Sequence, residues 1–214
     1  MRGAKQRQAH KTKETAARDR GASARALVGA AAEVLGEAGF QGFGVNAVAR
    51  AADLDKQLIY RYFGGVEGLI AAVGEEVAQR LAERLAPLAA LGEAKTYREM
   101  VERMALGLMQ ALRDDKLLQR IAAWEIADAS PLVQTLTRAR SKVMTQWIAG
   151  MRGELTPPAH VDAPALNAFI IAAVQHLVLA GAASGQFAGM KLANDKDWER
   201  VRGVAKQIVA SVYR

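Results

Sequence analysis

The chain contains no cysteine. That absence excludes disulfides, zinc–thiolate sites, iron–sulfur clusters and thiol nucleophiles. Proline is scarce as well, five in 214 residues, and a sequence rich in Ala and Leu with so few breakers favours helices over an all-β fold. The three histidines, His10, His160 and His176, stand far apart without metal-ligand spacing. There is no G-x-S-x-G, no P-loop and no G-x-G-x-x-G after a strand, and Gly42-Phe43-Gly44 and Gly64-Gly65 read as helix boundaries. Nothing assembles a nucleophile, a base and oxyanion donors, so no catalytic residue, metal site or cofactor is expected. The most apolar run, residues 168–183, is interrupted by Gln175 and His176 and falls short of the ~20 residues a spanning helix needs. No apolar run follows the charged N-terminus, so it does not read as a secretory signal. The expectation is a cytoplasmic protein without a membrane partner.

What the chain does have is enough apolar residues for a sizeable core, 51% against 24% charged. The formal net charge is +7, a balance that favours polyanionic partners. The charge is unevenly placed: residues 1–63 hold 11 basic and 6 acidic side chains, residues 64–214 hold 18 and 16. Residues 1–21 carry seven Lys or Arg, two acids and nothing apolar larger than Ala after Met1. Such a stretch cannot bury enough surface to offset its ordering entropy and is expected to be a mobile arm. It reads either as a solvated tail or as a DNA-contacting arm lying in a minor groove or along the backbone.

Beyond the arm the signals are helical nearly throughout. A first helix is expected from about Ala22 to Ala38, with Gly39 as its stop. Val66, Leu69, Ile70, Val73, Val77, Leu81, Leu85 and Leu88 form a stripe at helical spacing. Thr96 and Glu99 have the spacing of a capping box, Asp114 or Asp115 is placed to cap the next helix, and Ser130-Pro131 and Asn194-Asp195 are further start signals. About nine helices and no convincing strand are expected.

Two short helices carry the functional argument. Val45, Val48 and Ala49 make one small apolar face; Asp53-Leu54 breaks it; Asp55 starts a second helix anchored by Leu58, Ile59, Tyr62 and Phe63. Two such helices joined by a tight turn form a helix-turn-helix, whose second helix fits a major groove. Lys56, Gln57, Tyr60 and Arg61 then decorate its outward face and first turn. Gln57 has the amide to pair with adenine, Leu58 a side chain for a thymine methyl or for packing, and Arg61 the fork for a phosphate.

Residues 25–70 resemble the DNA-binding domain of TetR/AcrR-family transcriptional regulators. The resemblance rests on Gly39-Phe40, on Val45-x-x-Val48-Ala49-x-x-Ala52, and on Leu54-Asp55-Lys56-x-x-Ile59-Tyr60-x-Tyr62-Phe63 followed by Glu67-x-Leu69. The rest of the chain matches only in layout. The resemblance implies an all-α fold with a three-helix, helix-turn-helix DNA-binding domain over residues 22–64. A C-terminal effector-binding and dimerisation domain would then cover residues 65–214. It also implies DNA contacts at Asn46, Asp55, Lys56, Gln57, Leu58, Tyr60, Arg61 and Gly65. Four positions depart from the family pattern: Gly44 replaces a hydroxyl residue, Asp53 a glycine, Asp55 a serine and Val66 a lysine. The backbone amides of Gly64-Gly65-Val66 remain as anion donors.

In the C-terminal part, Met104, Leu108, Trp124, Glu125, Met144, Trp147, Phe169 and His176 are candidates for an effector pocket, with plain core packing as the alternative for each. The helix expected over residues 162–183 is apolar almost all round, and the last helix has a regular apolar seam. Phe169, Ala173, Leu177, Trp198, Val201, Ala205 and Ile208 are therefore expected at a homodimer interface. The function expected is a sequence-specific DNA-binding transcriptional regulator. In detail it would be a dimeric repressor on a palindromic operator, released by a small, largely apolar effector. The alternative is a non-specific nucleic-acid-binding or helical adaptor protein using the basic arm.

Overall fold

The computed structural model describes residues 19–88 and 90–214, so the basic arm expected over residues 1–21 lies, as far as residue 18, outside the described residues. Among the described residues the architecture is all-α, with nine helices. In chain order they are α1 (Arg2–Gly42), α2 (Val45–Ala52), α3 (Gln57–Phe63), α4 (Val66–Leu85), α5 (Tyr97–Asp114), α6 (Lys116–Ala127), α7 (Pro131–Arg152), α8 (Ala163–Ser184) and α9 (Asp195–Val212). A short 3-10 segment, Ala86–Leu91, follows α4. One element was not expected. The two-residue strands β1 (Gln186–Phe187) and β2 (Met190–Lys191) pair antiparallel between α8 and α9. Ala188 and Gly189 turn the hairpin at φ 49° and 77°, the left-handed pair that two-residue hairpins favour. Strands this short have no alternation to read.

The chain divides into two compact units, Met1–Glu76 with Asp128–Arg140, and Val77–Ala127 with Ser141–Arg214. The boundary expected after residue 64 thus falls inside the first unit. The physical reason is that the first turns of α4 bury Leu69, Ile70 and Val73 completely, which makes them core rather than linker.

In the first unit, Leu27, Ala31 and Leu35 of α1, Val48 of α2 and Ile59 of α3 are fully buried with the α4 residues and with Leu136 of α7. Each large aliphatic side chain so buried contributes about 1.5–3 kcal/mol. Within α1 the backbone leaves helical geometry at Gly39, φ 66° and ψ −172°, the stop the sequence indicates. α4 and α7 approach backbone to backbone at Gly74, where a Cβ would lie 2.5 Å from the Leu136 carbonyl oxygen and 3.0 Å from Ala139 Cβ.

In the second unit, Tyr97, Met100 and Val101 of α5 pack with Ala163 of α8 and with Val209 and Tyr213 at the end of α9. The Tyr213 hydroxyl donates to Asn167 Oδ1 at 2.8 Å, and Asn167 Nδ2 donates to the Tyr97 hydroxyl at 3.0 Å. Caps follow the sequence signals with small shifts. Thr96 Oγ1 accepts from the Glu99 amide at 3.1 Å, but the Glu99 carboxylate reaches the amide of Lys95 rather than that of Thr96. Asp115, not Asp114, caps α6 by accepting from the amides of Leu117 and Leu118. At Ser130-Pro131 the helix starts as expected, yet the Ser130 hydroxyl makes no cap; the Ser130 amide donates to Asp128 Oδ1 at 2.7 Å instead. Asn194 and Asp197 form a full capping box.

α8 runs 22 residues and is long and apolar enough to cross a membrane by length and composition, which corrects the expectation that this stretch is too short. The helix takes in five residues ahead of the apolar run because Asp162 caps it, its Oδ1 accepting from the Ala165 amide at 3.2 Å. Of this helix only Ala163, Val174 and Val178 are buried.

Candidate nucleic-acid interface

α2 ends where Asp53 adopts a left-handed conformation, φ 51° and ψ 44°. Its amide donates to the Arg50 carbonyl and that of Leu54 to Ala49, so the last carbonyls of α2 are satisfied as the chain reverses. Asp55 then receives α3: its Oδ1 accepts from the Gln57 amide at 2.8 Å and its carbonyl from the Leu58 amide at 2.9 Å. Ile59, fully buried, fixes the helix to the core. At about 100° per residue, Gln57, Tyr60 and Arg61 share the side opposite Ile59. Lys56, Gln57 and Arg61 are exposed, and the Tyr60 ring is 56% exposed although it is large and largely apolar.

Six of the eight expected contacts therefore lie on the surface of one helix-turn-helix. Lys56 Nζ donates to Asn46 Oδ1 at 3.5 Å, which joins the start of α3 to α2. The other two differ. Leu58 is half-buried, and Gly65 is buried at φ 132° with its carbonyl accepting from the Leu69 amide. Of the three amides expected to hold an anion, that of Gly64 is already occupied by the Tyr60 carbonyl at 3.0 Å, because Gly64 closes α3.

Two further residues join this surface. Arg61 folds onto its neighbour, one guanidinium nitrogen donating to the Tyr62 hydroxyl at 2.8 Å and the group lying 4.9 Å from the ring centroid. The Arg20 guanidinium lies 5.4 Å from the same centroid. The sequence reading gave Tyr62 an anchoring role alone. No short-range pattern links it to Arg20, some forty residues earlier.

The C-terminal candidates differ in burial. Met104 packs at the edge of the Tyr97 cluster, and Leu108, Trp124, Glu125, Met144 and Trp147 are half-buried. Phe169 and His176 do not join them: Phe169 is 78% exposed, and His176 is exposed with its ring edge-on to Phe187 at 4.6 Å. Both project from sides of α8 that its few buried residues do not use. Phe169 instead lines an apolar groove of about 320 Å³ together with Ala173, Leu177, Val204, Ala205 and Ile208. Of the residues expected at a dimer interface, Trp198 is the correction. It is buried in its own protomer, Nε1 donating to the Leu192 carbonyl at 3.2 Å and the ring packed over Gly181. Val201 is likewise 5% exposed and forms the groove's floor. The last helix thus carries two apolar stripes, one inward through Trp198, Val201, Val209 and Tyr213 and one outward through Val204 and Ile208.

Residues 27–73 match the sequence model of a family described as bacterial regulatory proteins, tetR family. A comparison with curated protein sequences finds no match. A TetR family transcription regulator from Marinobacter aquaeolei VT8 is 22% identical, with a TM-score of 0.61 over 89% of this chain and 97% of that one. FadR from Bacillus subtilis, solved in complex with stearoyl-CoA, is 18% identical, with a TM-score of 0.62 over 89% and 99%. The multidrug binding protein EbrR, solved with imidazole, is 15% identical, with a TM-score of 0.59 over 89% and 94%. Residues 27–73 are accordingly similar to the tetR family of bacterial regulatory proteins, and the chain as a whole shares the fold of these solved structures.

Proposed function

We propose that the protein is a homodimeric, sequence-specific DNA-binding regulator of the cytoplasm that represses transcription and leaves its operator when a small, largely apolar effector binds. The observation that carries this reading is the α3 surface. Lys56, Gln57, Tyr60 and Arg61 stand exposed side by side on a helix fixed from behind by Ile59. An amide for base edges, a lysine and an arginine for phosphates, and an exposed tyrosine ring are the groups a major groove requires. Asn46 and Asp55 act at the rim, Asn46 by holding Lys56 and Asp55 by fixing the start of α3.

Dimerisation rests on the α8 and α9 groove. Phe169, Val204 and Ile208, which line it, are all between 47% and 78% exposed in one protomer, a concentration of apolar surface that soluble chains normally cover. A second copy covers it and gives a two-fold molecule for a palindromic site, with half-sites about one helical turn apart or a little more. FadR holds stearoyl-CoA and EbrR imidazole in this fold. An effector binding in the second unit here would shift the population of dimers whose two α3 helices match the half-sites.

Selection of a random duplex pool by the purified protein at two salt concentrations tests the reading. A recovered palindrome bound with salt-dependent affinity is expected. Recovery of no shared sequence, with all binding lost on adding salt, overturns it in favour of a non-specific nucleic-acid-binding protein.

A further inference from the structure

Arg20 and Arg61 come from distant parts of the chain, α1 and the last turn of α3, yet both guanidiniums lie over one ring, that of Tyr62. Their carbon centres are therefore no more than about 10 Å apart, the span over which like charges still repel at ordinary ionic strength. Among the described residues no carboxylate forms an ion pair with either, and both arginines are exposed. Two uncompensated cations held close together leave a local excess of positive charge, which an anion seated between them relieves. The ring restricts both planar forks through cation–π contact, and the Tyr62 hydroxyl accepts from Arg61. The two side chains are thereby partly ordered before any ligand arrives, which lowers the entropy cost of binding.

The location decides the ligand. Tyr62 sits about 40° beyond Leu58 around α3, on the flank of the surface formed by Gln57, Tyr60 and Arg61. A duplex docked with α3 in its major groove presents a phosphate strand along that flank. We infer that Arg20, held by Tyr62 beside Arg61, is a phosphate contact of the DNA complex, so that α1 and α3 together clamp the backbone at one edge of each half-site. This rests on the DNA-binding reading above. It adds to it a contact from outside the helix-turn-helix and gives Tyr62 the task of positioning it.

The experiment uses the full chain and the palindrome recovered by selection. The logarithm of affinity is followed against the logarithm of salt concentration for the parent, Arg20→Ala, Arg20→Lys and Tyr62→Leu. Each lost phosphate contact flattens the slope by about 0.9, so Arg20→Ala should lower it by about 1.8 for a dimer. The preferred sequence should not change, because a phosphate contact carries no base information. Arg20→Lys should keep much of the slope, and Tyr62→Leu should lose it as Arg20→Ala does. Since Tyr62 is half-buried, its variant is read only if its thermal unfolding matches the parent's; Arg20, exposed, decides the matter alone. An unchanged slope in Arg20→Ala overturns the inference and leaves the DNA-binding reading standing. A changed sequence preference also overturns it, since Arg20 would then be reading bases. A parent that selects no sequence overturns both.

Discussion

Arg80 Nε lies 2.6 Å from Asp115 Oδ2, and Arg84 reaches the same oxygen at 3.1 Å through a guanidinium nitrogen. The carboxylate beneath them is 2% exposed. Burial alone would raise its pKa. The hydrogen bond from Arg80, the Leu118 amide and the charges of both arginines outweigh that and hold it below the usual carboxylate value. A group depressed in the folded state adds stability above its unfolded pKa, near 4, and loses that contribution as pH falls through its lower folded value. The prediction is a protein that weakens in acid below about pH 4, with Asp115→Asn removing that part of the pH dependence. Asp115→Ala removes the buried carboxylate that Arg80, Arg84 and two α6 amides share and should cost about 3 kcal/mol, measured by urea unfolding at neutral pH.

Tyr213 gives the opposite sign. Burial, then the neighbouring Tyr97, pushes its pKa up to about 12. A raised pKa contributes stability below the unfolded value, near 10, which is lost as pH rises towards the folded one. Alkaline unfolding should therefore begin above pH 10, and Tyr213→Phe should blunt it. The same substitution removes the hydrogen bond to Asn167, at a cost of about 1 kcal/mol at neutral pH.

Asp53 is one of only two described non-glycine residues with positive φ. Left-handed geometry costs a side chain with a Cβ of the order of 1 kcal/mol. Asp53→Gly should raise stability by up to about 1 kcal/mol and leave DNA affinity unchanged. A melting temperature that falls would mean that the carboxylate does something the backbone conformation does not reveal.

Ile208 is 47% exposed on the outward stripe of α9. Ile208→Glu should turn a dimer into a monomer by sedimentation while the helical signal is retained. Trp198→Ala, by contrast, should unfold the second unit rather than merely separate protomers, because its ring belongs to the protomer's own core.

The double variant Lys56→Ala, Arg61→Ala should abolish operator binding and leave dimerisation intact. Parent-like affinity from this variant would remove α3 from the interface.

Helix positions, stops and caps were legible because they are local: Gly39, Asp55 and Asn194 act within a few residues of themselves. The outward face of α3 followed from the same arithmetic, since Ile59 had to be buried. The arrangement in α9 was not legible. Trp198, Val201, Ala205, Ile208 and Val212 step evenly along the sequence, yet this seam takes Trp198 and Val201 from the inward stripe and Ile208 from the outward one, and periodicity cannot say which stripe faces a neighbour. The exposure of Phe169 and His176 was not legible for a related reason. A helix apolar on every side gives no indication of which side its own chain covers. The Arg20–Tyr62 contact, like that of Arg80 and Arg84 with Asp115, depends on tertiary approach alone.

The close meeting of α4 with α7 at Gly74 has a consequence for how this molecule can be dissected. Residues 128–140 belong to the same compact unit as the helix-turn-helix, and Leu136 is as completely enclosed as Ile59. The helix-turn-helix is therefore not a detachable module at the front of the chain. A fragment ending near residue 76 would lack part of its own hydrophobic interior, and a graft of these helices onto another scaffold would have to bring the start of α7 with them. Any side chain at position 74 would act as a wedge, felt in the helix-turn-helix although it lies outside it.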